Sequence, residues 1–281
     1  MLWKMMLACG VAVLFAVSAP AAEFRKFTLG GMEVIALADI DPKAPAKDNP
    51  ALLIGVKDAD AQKYLSSPGS MKNSINCFVV KTGSETILFD TGLGARANGQ
   101  LPASLKAAGI DPAAIGAVVI THFHPDHVGG LVDEDGAAAF PSARLMVPRI
   151  EVEANPQAAM KFMQAYAGRL HTFEWGHAVA DGVVAVDANG HTPGHTVFLI
   201  DSGDARLMIA GDLIHFGGIQ LPVPDVAVTY DSDPVKAVAA RKRLFDRAID
   251  ENYPIASMHL PFPGIGTLSR DGNGYGFVDM K

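Results

Sequence analysis

The chain is expected to fold as an α/β (α+β) protein in which helices cover sheets, and three observations lead there. Runs at residues 32–37, 75–80, 86–89, 117–120, 145–147, 183–186, 197–200 and 207–209 are short and rich in Val, Ile, Leu and Phe. Most are bounded by Gly, Asp or Asn, as buried strands should be. Two dipeptides, Asn155-Pro156 and Asp233-Pro234, place a capping side chain before a proline at the first helical position. The order is strands, a helix, strands again and a closing helix, which favours sheets covered by helices over an all-β or all-α fold.

The N-terminal residues stand apart from that pattern. Met1-Leu2-Trp3-Lys4 is a short positive start, residues 5–17 are apolar, and Ser18-Ala19-Pro20-Ala21-Ala22 offers small residues for cleavage. That order is a secretory signal peptide, cut after Ala21 or Ala22. About 13 apolar residues are too few to span a bilayer. Residues 1–21 are therefore expected to be a signal peptide. Residues 22–281 are expected to be one domain in the periplasm or outside the cell, with no membrane contact after cleavage. Without the leader, 22 Lys and Arg face 30 Asp and Glu, a net charge of −8. Such acidity argues against nucleic acid, whose phosphates need clustered cations. Cys77 is the one cysteine left, so no internal disulfide forms. It stands in the apolar run Asn76-Cys77-Phe78 and reads as a packing residue.

Residues 41–72 are rich in Pro, Lys, Asp and Ser with no sustained period. They are either a lid or a surface excursion. On the helix opened by Asn155, Met160, Met163, Ala167 and Leu170 share one face and read as core or pocket wall. On the helix opened by Asp233, Val235, Val238, Phe245 and Ile249 are expected inward. Arg241-Lys242-Arg243 reads as a solvated face.

The chemistry concentrates in Thr121-His122-Phe123-His124-Pro125-Asp126-His127, directly after the apolar run 115–120 and before Val128-Gly129-Gly130. Histidine is the commonest protein metal ligand and aspartate a hard oxygen ligand. Further ligand types fall where apolar runs stop: Asp90, His195, Asp212 and His259. Five histidines and two non-structural carboxylates exceed the three protein ligands typical of one catalytic zinc. Two divalent ions fit better, Zn first and Mn, Fe or Co also suited, with Asp212 shared between them. His191 reads as a turn residue, and His171 and His177 as surface residues. Phe123, Trp175, Phe216 and Phe262 are candidates for an apolar pocket wall.

Phe89-Asp90-Thr91-Gly92, His122-Phe123-His124-Pro125-Asp126-His127, Thr192-Pro193-Gly194-His195-Thr196, Gly211-Asp212 and the late His259 together resemble the metallo-β-lactamase superfamily. The resemblance implies an αββα four-layer sandwich with two metal ions at one edge of its sheets. It implies His122, His124 and His195 on one ion, Asp126, His127 and His259 on the other, Asp212 bridging, and Asp90 holding a ligand or loop in place. Asp126, Asp212 and His215 are the candidate catalytic side chains.

True β-lactamases of the superfamily place a cysteine or serine near Asp212, so β-lactam hydrolysis is at most a side activity. The C-terminal half, with Gly211-Asp212-Leu213-Ile214-His215 and His259-Leu260-Pro261-Phe262-Pro263-Gly264, resembles methyl parathion hydrolase-like enzymes. N-acyl-homoserine lactonases share the ligands but carry a tyrosine where His215 stands. The expected activity is hydrolysis of a small neutral ester, of organophosphotriester or lactone type. His215 is either a donor near the leaving group or a packing residue. Quorum-signal lactonase is the alternative within enzymes, and an exported metal- or ligand-binding protein the alternative outside them. Relatives are often dimers, so a homodimer is a possible assembly.

Overall fold

The computed structural model describes residues 22–45, 48–56 and 59–281; the expected leader over residues 1–21 lies outside the described residues. The chain begins with the hairpin β1 (Phe24–Leu29) and β2 (Met32–Ala38), then the short β3 (Leu53–Ile54) and α1 (Ala59–Leu65). Next come β4 (Asn76–Lys81), β5 (Thr86–Phe89), α2 (Leu101–Ala108), β6 (Ala117–Val119) and the one-turn α3 (Pro125–Val128). The first half closes with β7 (Arg144–Pro148), α4 (Arg149–Ala154), α5 (Pro156–Met163) and β8 (Leu170–Phe173). The second half runs β9 (Ala178–Ala180), β10 (Val183–Asp187), β11 (Thr196–Ser202), β12 (Ala205–Gly211), α6 (Gly217–Gln220) and β13 (Ala227–Val228). It ends with α7 (Pro234–Asp250), β14 (Ile255–Ser257), β15 (Ile265–Asp271) and β16 (Gly274–Asp279).

These strands make two seven-stranded sheets, ordered β1-β2-β4-β5-β6-β7-β8 and β16-β15-β14-β12-β11-β10-β9. Both are mixed: β5, β6, β7 and β8 run parallel, as do β12 and β14, and the other named pairs within the two sheets are antiparallel. Strand side chains alternate between faces, and here both faces are covered, which is why the runs are apolar throughout. Phe78 and Val80 of β4 enter a core shared with Phe198, Ile200 and Ile209 of the other sheet. Cys77 and Val79 point the opposite way, toward Leu101 and Leu105 of α2 and Phe162 of α5. In the second sheet Val197 and Leu199 pack with Leu244 and Phe245 of α7. The result is helix, sheet, sheet, helix: the αββα sandwich. Cys77 is a fully buried free thiol, as expected.

Burial revises the helix faces read from sequence. On α5 the inward positions are Ala159 and Phe162, continued by Tyr166; Met160 is 71% exposed, and Leu170 belongs to β8. On α7 Phe245 is buried, but Val235 is 80% exposed. Arg241, expected on a solvated face, is only 1% exposed. Residues Ala237, Ala240, Arg241, Leu244, Phe245 and Ala248 form the true stripe. The guanidinium takes a core position because three carbonyls meet it: it donates to Leu213 O, to Pro224 O at 2.7 Å and to Val226 O at 2.8 Å.

The segment after β2 is a packed cap. Leu53, Ala61 and Met71 form a fourth apolar cluster with Phe216, Ile219, Val226 and Val228, and β3 pairs antiparallel with β13. No helix among the described residues is long and apolar enough to cross a membrane.

Candidate metal centre

Parallel strands deliver their C-terminal ends to one edge, where the chain leaves the sheet and its side chains can converge. Asp90 follows β5, the His122–His127 run follows β6, Asp212 follows β12 and His259 follows β14. His191 and His195 come from the turn that precedes β11.

Three overlapping groups have ligand atoms within 4.8 Å of one another: His122, His124, His191 and Asp212; Asp126, His127 and His259; and Asp212, His215 and His259. Asp212 lies between the first two. Its Oδ2 is 3.6 Å from His122 Nε2 and 3.2 Å from both His191 Nε2 and His259 Nε2, and its Oδ1 is 3.2 Å from His127 Nε2. Asp126 closes the second group, 3.7 Å from His127 Nε2 and 3.5 Å from His259 Nε2.

The sequence reading makes His191 a turn residue and puts His195 in the first group. The structure exchanges them. Both nitrogens of His195 are spent: Nδ1–H donates to Ala188 O at 3.0 Å, and Nε2 accepts the Asp212 N–H at 2.9 Å. His195 therefore has no lone pair to offer an ion and instead anchors the backbone of Asp212. Gly211 is tied to the same contact, because it sits at φ 52° and a Cβ there would meet His195 Nε2 at 2.5 Å.

Each of four imidazoles has one nitrogen fixed by a hydrogen bond, which turns the other toward the cluster. Asp90 accepts His127 Nδ1–H at 2.7 Å, and also Thr121 N–H and Oγ1–H at 2.8 Å each. The Thr121 hydroxyl has thereby given away its proton, so at 3.0 Å it accepts from His122 Nδ1–H. Asp231 accepts His191 Nδ1–H at 2.8 Å and Val228 N–H at 3.0 Å. Ser74 O accepts His259 Nδ1–H at 2.8 Å. Glu151, fully buried, accepts Phe123 N–H at 3.1 Å and Gly194 N–H at 2.7 Å, clamping both histidine-bearing loops to one carboxylate. Sequence reading missed Asp231 and Glu151; Asp231 stood within Tyr230-Asp231-Ser232-Asp233, but nothing local tied it to His191.

The donors fit metal ions on the state of their atoms. His122 Nε2, His127 Nε2 and Asp212 Oδ1 are buried without a hydrogen bond among the described residues. Such orphans are rare in folded proteins and are explained when an ion takes the lone pairs. The charges agree. Burial works against protonating His191, yet its bonds to Asp212 and Asp231 bring it up to about 9. Burial would raise Asp212, but His127, His259 and His122 around it hold it well below the usual carboxylate range. Burial depresses His124 to about 4 and His195 to about 3.

His215 belongs to this centre too. Its Nε2 is 3.1 Å from Asp212 Oδ2, its Nδ1 has no partner among the described residues, and burial pushes it down to about 4. Its loop is fixed from beneath: Gln220 Oε1 accepts the N–H groups of His215 and Phe216 at 2.8 and 2.9 Å, and Arg241 holds the carbonyls of residues 213, 224 and 226.

A cavity of 370 Å³ opens onto the cluster. Besides the histidines and aspartates its lining among the described residues is Asn73, Ile75, Leu93, Pro125 and Tyr230, with neither lysine nor arginine. The aromatic wall expected from sequence lies elsewhere. Phe123 is in the core under α5, Phe216 in the cap cluster and Phe262 against the inter-sheet core, while Trp175 donates to Thr196 Oγ1 at 2.9 Å. His171 and His177 are exposed, as expected.

Comparison with known proteins agrees with this picture. The sequence pattern of the metallo-beta-lactamase superfamily matches residues 72–254. An N-acyl homoserine lactonase of Bacillus cereus is 27% identical over 168 residues, 51% of this chain and 65% of that protein. The chain thus spans a little under two thirds of the length of that relative. Among solved structures, the hydrolase AbOPH of the beta lactamase superfamily is 30% identical, with a TM-score of 0.80 over 93% of this chain and 98% of that one. AidC, a dizinc quorum-quenching lactonase solved with a product, is 27% identical, with a TM-score of 0.76 over 93% and 99%. The chain belongs to the metallo-beta-lactamase superfamily and is a metal-dependent hydrolase of that fold.

Proposed function

We propose that the protein hydrolyses small uncharged esters, lactones first among them, at a two-ion centre. His122, His124 and His191 would hold one ion, Asp126, His127 and His259 the other, and Asp212 would serve both. The observation that carries this reading is the position of Asp212, within 3.2 Å of imidazole nitrogens from each group. Bound divalent ions supply Lewis acidity toward a carbonyl or phosphoryl oxygen and bring the ionisation of water into the neutral range.

The chain's own residues do the rest. Asp90, Asp231, Thr121 and Ser74 each engage the Nδ1 side of a ring, so that with ions bound four Nε2 atoms would face them as lone pairs. His215, kept neutral by burial, brings Nε2 to 3.1 Å from Asp212 Oδ2 and would steady that carboxylate. That makes it an orienting group and weakens the role of leaving-group donor. The absence of lysine and arginine from the cavity lining among the described residues supports a neutral substrate, since an anionic group would enter beside Asp126 and Asp212. The likeness to lactonases supports the lactone class. Phosphotriesters are the second reading, favoured by a histidine at position 215.

Zinc-loaded protein offered an N-acyl lactone, an aryl phosphotriester and a β-lactam separates these readings. Turnover of the lactone above the others is expected, and Asp212→Ala abolishes it. Undiminished turnover by that variant refutes the shared-carboxylate centre. We also propose export of the chain, supported by the order of residues 1–21; a product that stays in the cytoplasm with those residues uncut would refute it.

A further inference from the structure

Three rings run from the buried cluster to the mouth of the cavity. His259 and His215 stack with centroids 5.0 Å apart and planes 13° from parallel, and Tyr230 lies 5.8 Å beyond His215, tilted by 46°. The two histidines are buried and engaged with Asp212. Tyr230 differs on every count. It is 46% exposed, and its hydroxyl makes no hydrogen bond among the described residues.

Its backbone is nevertheless held. Thr229 N–H donates to Leu52 O at 2.8 Å, tying this turn to the cap. Asp231 N–H donates to Val228 O at 3.0 Å, and the Asp231 carboxylate grips His191. A large aromatic ring is thus presented to the cavity from a fixed turn. Contact with such a ring costs little ordering entropy and removes apolar area on both partners from water. The same cavity is lined by Ile75 and Leu93, apolar surface that an apolar substrate portion would share with Tyr230.

We infer that Tyr230 is a specificity-determining residue whose ring receives a planar apolar arm of the substrate at the cavity mouth, outside the reacting bond. This rests on the reading of the centre as a hydrolase of neutral esters. The substrate class it selects is a lactone or ester carrying an aryl or similarly flat apolar substituent, over one carrying a small alkyl group.

The test uses two lactones with the same reacting ring, one bearing a phenylacetyl arm and the other an acetyl arm, on the zinc-loaded full chain. Wild type is expected to prefer the phenylacetyl compound. Tyr230→Ala should lower the kcat/KM ratio of the two about tenfold, through KM of the phenylacetyl compound. Tyr230→Phe should keep the wild-type ratio. Zinc content measured on each variant reports an intact centre. A ratio within about twofold of wild type in Tyr230→Ala overturns the inference. So does an equal loss in Tyr230→Phe, which would make the hydroxyl the reader. If wild type opens neither lactone, the lactone reading fails. Tyr230 is then judged by the Kd values of the corresponding inert lactams, where a selective weakening of about tenfold in Tyr230→Ala supports it and equal binding overturns it.

Discussion

Replacing Asp231 with Asn tests how the centre is built without touching any side chain proposed to meet an ion. Both oxygens of Asp231 accept, one from His191 Nδ1–H at 2.8 Å and the other from Val228 N–H at 3.0 Å. An amide has one acceptor and one donor group, so the substituted side chain can satisfy only one of those N–H groups. If it keeps Val228, its NH2 faces His191 and forces the proton to Nε2, the nitrogen that lies 3.2 Å from Asp212 Oδ2. The lone pair offered to an ion is then lost. Partners that orient a ligand are worth roughly 10–100-fold in metal affinity, about 1.4–2.7 kcal/mol. The expected outcome is that Asp231→Asn keeps one ion tightly and loses affinity for the other by that factor, read by competition with a chromogenic chelator. Activity should return at high zinc, because the fold and the second group are intact. Two ions held with wild-type affinity would refute the tautomer argument, and with it the place given to His191.

Three further expectations test neighbouring links. His191→Ala should bind about one ion fewer, whereas His195→Ala should keep both ions but lose stability by about 1–3 kcal/mol, because the Asp212 N–H is left buried without an acceptor; metal analysis and urea melts separate the two, and the reverse pattern would restore His195 as a ligand. In the ion-free protein His191 sits near 9, above its ordinary value of 6.5. Its protonated form therefore stabilises the fold fully below 6.5, and the contribution is lost as pH rises through about 9. An ion needs the neutral ring, so zinc binding near neutral pH should expel a proton and weaken as pH falls, seen by calorimetry in two buffers; unchanged proton release in His191→Ala would refute this. Arg241→Leu takes the donor from the carbonyls of Leu213 and Pro224, leaves Val226 O only Gln220 Nε2–H, and should cost about 2 kcal/mol or more in a denaturant melt, with His215 and its loop displaced. Unchanged stability would return Arg241 to the solvated face read from sequence.

Much of this was legible in the chain because it was written locally. Apolar runs ending in Asp or His become strands whose ends carry the ligand types, and Asp90, Asp126, His127, Asp212 and His259 gather as their strand-end positions implied. The misreadings share one cause. Arg241, Met160 and Val235 were judged by residue type on a helix face, and what decided them was the neighbour across the gap. Carbonyls of residues 213, 224 and 226 make an arginine a core residue, while Met160 and Val235 stay exposed and join none of the apolar clusters among the described residues.

By itself the sequence determined that helices cover two-sided sheets and that a histidine and aspartate cluster sits at strand ends, since period and residue type are properties of the chain alone. Which histidine of His191-Thr192-Pro193-Gly194-His195 faces an ion was left to the tertiary structure. The two rings stand in one turn and are chemically identical. A ring becomes a ligand or an anchor according to which of its nitrogens is already bonded. His195 lies between Ala188 O and Asp212 N–H, and His191 has Asp231, 40 residues away, to accept its Nδ1–H. Hydrogen bonds across that distance exist only once the fold has brought their partners together.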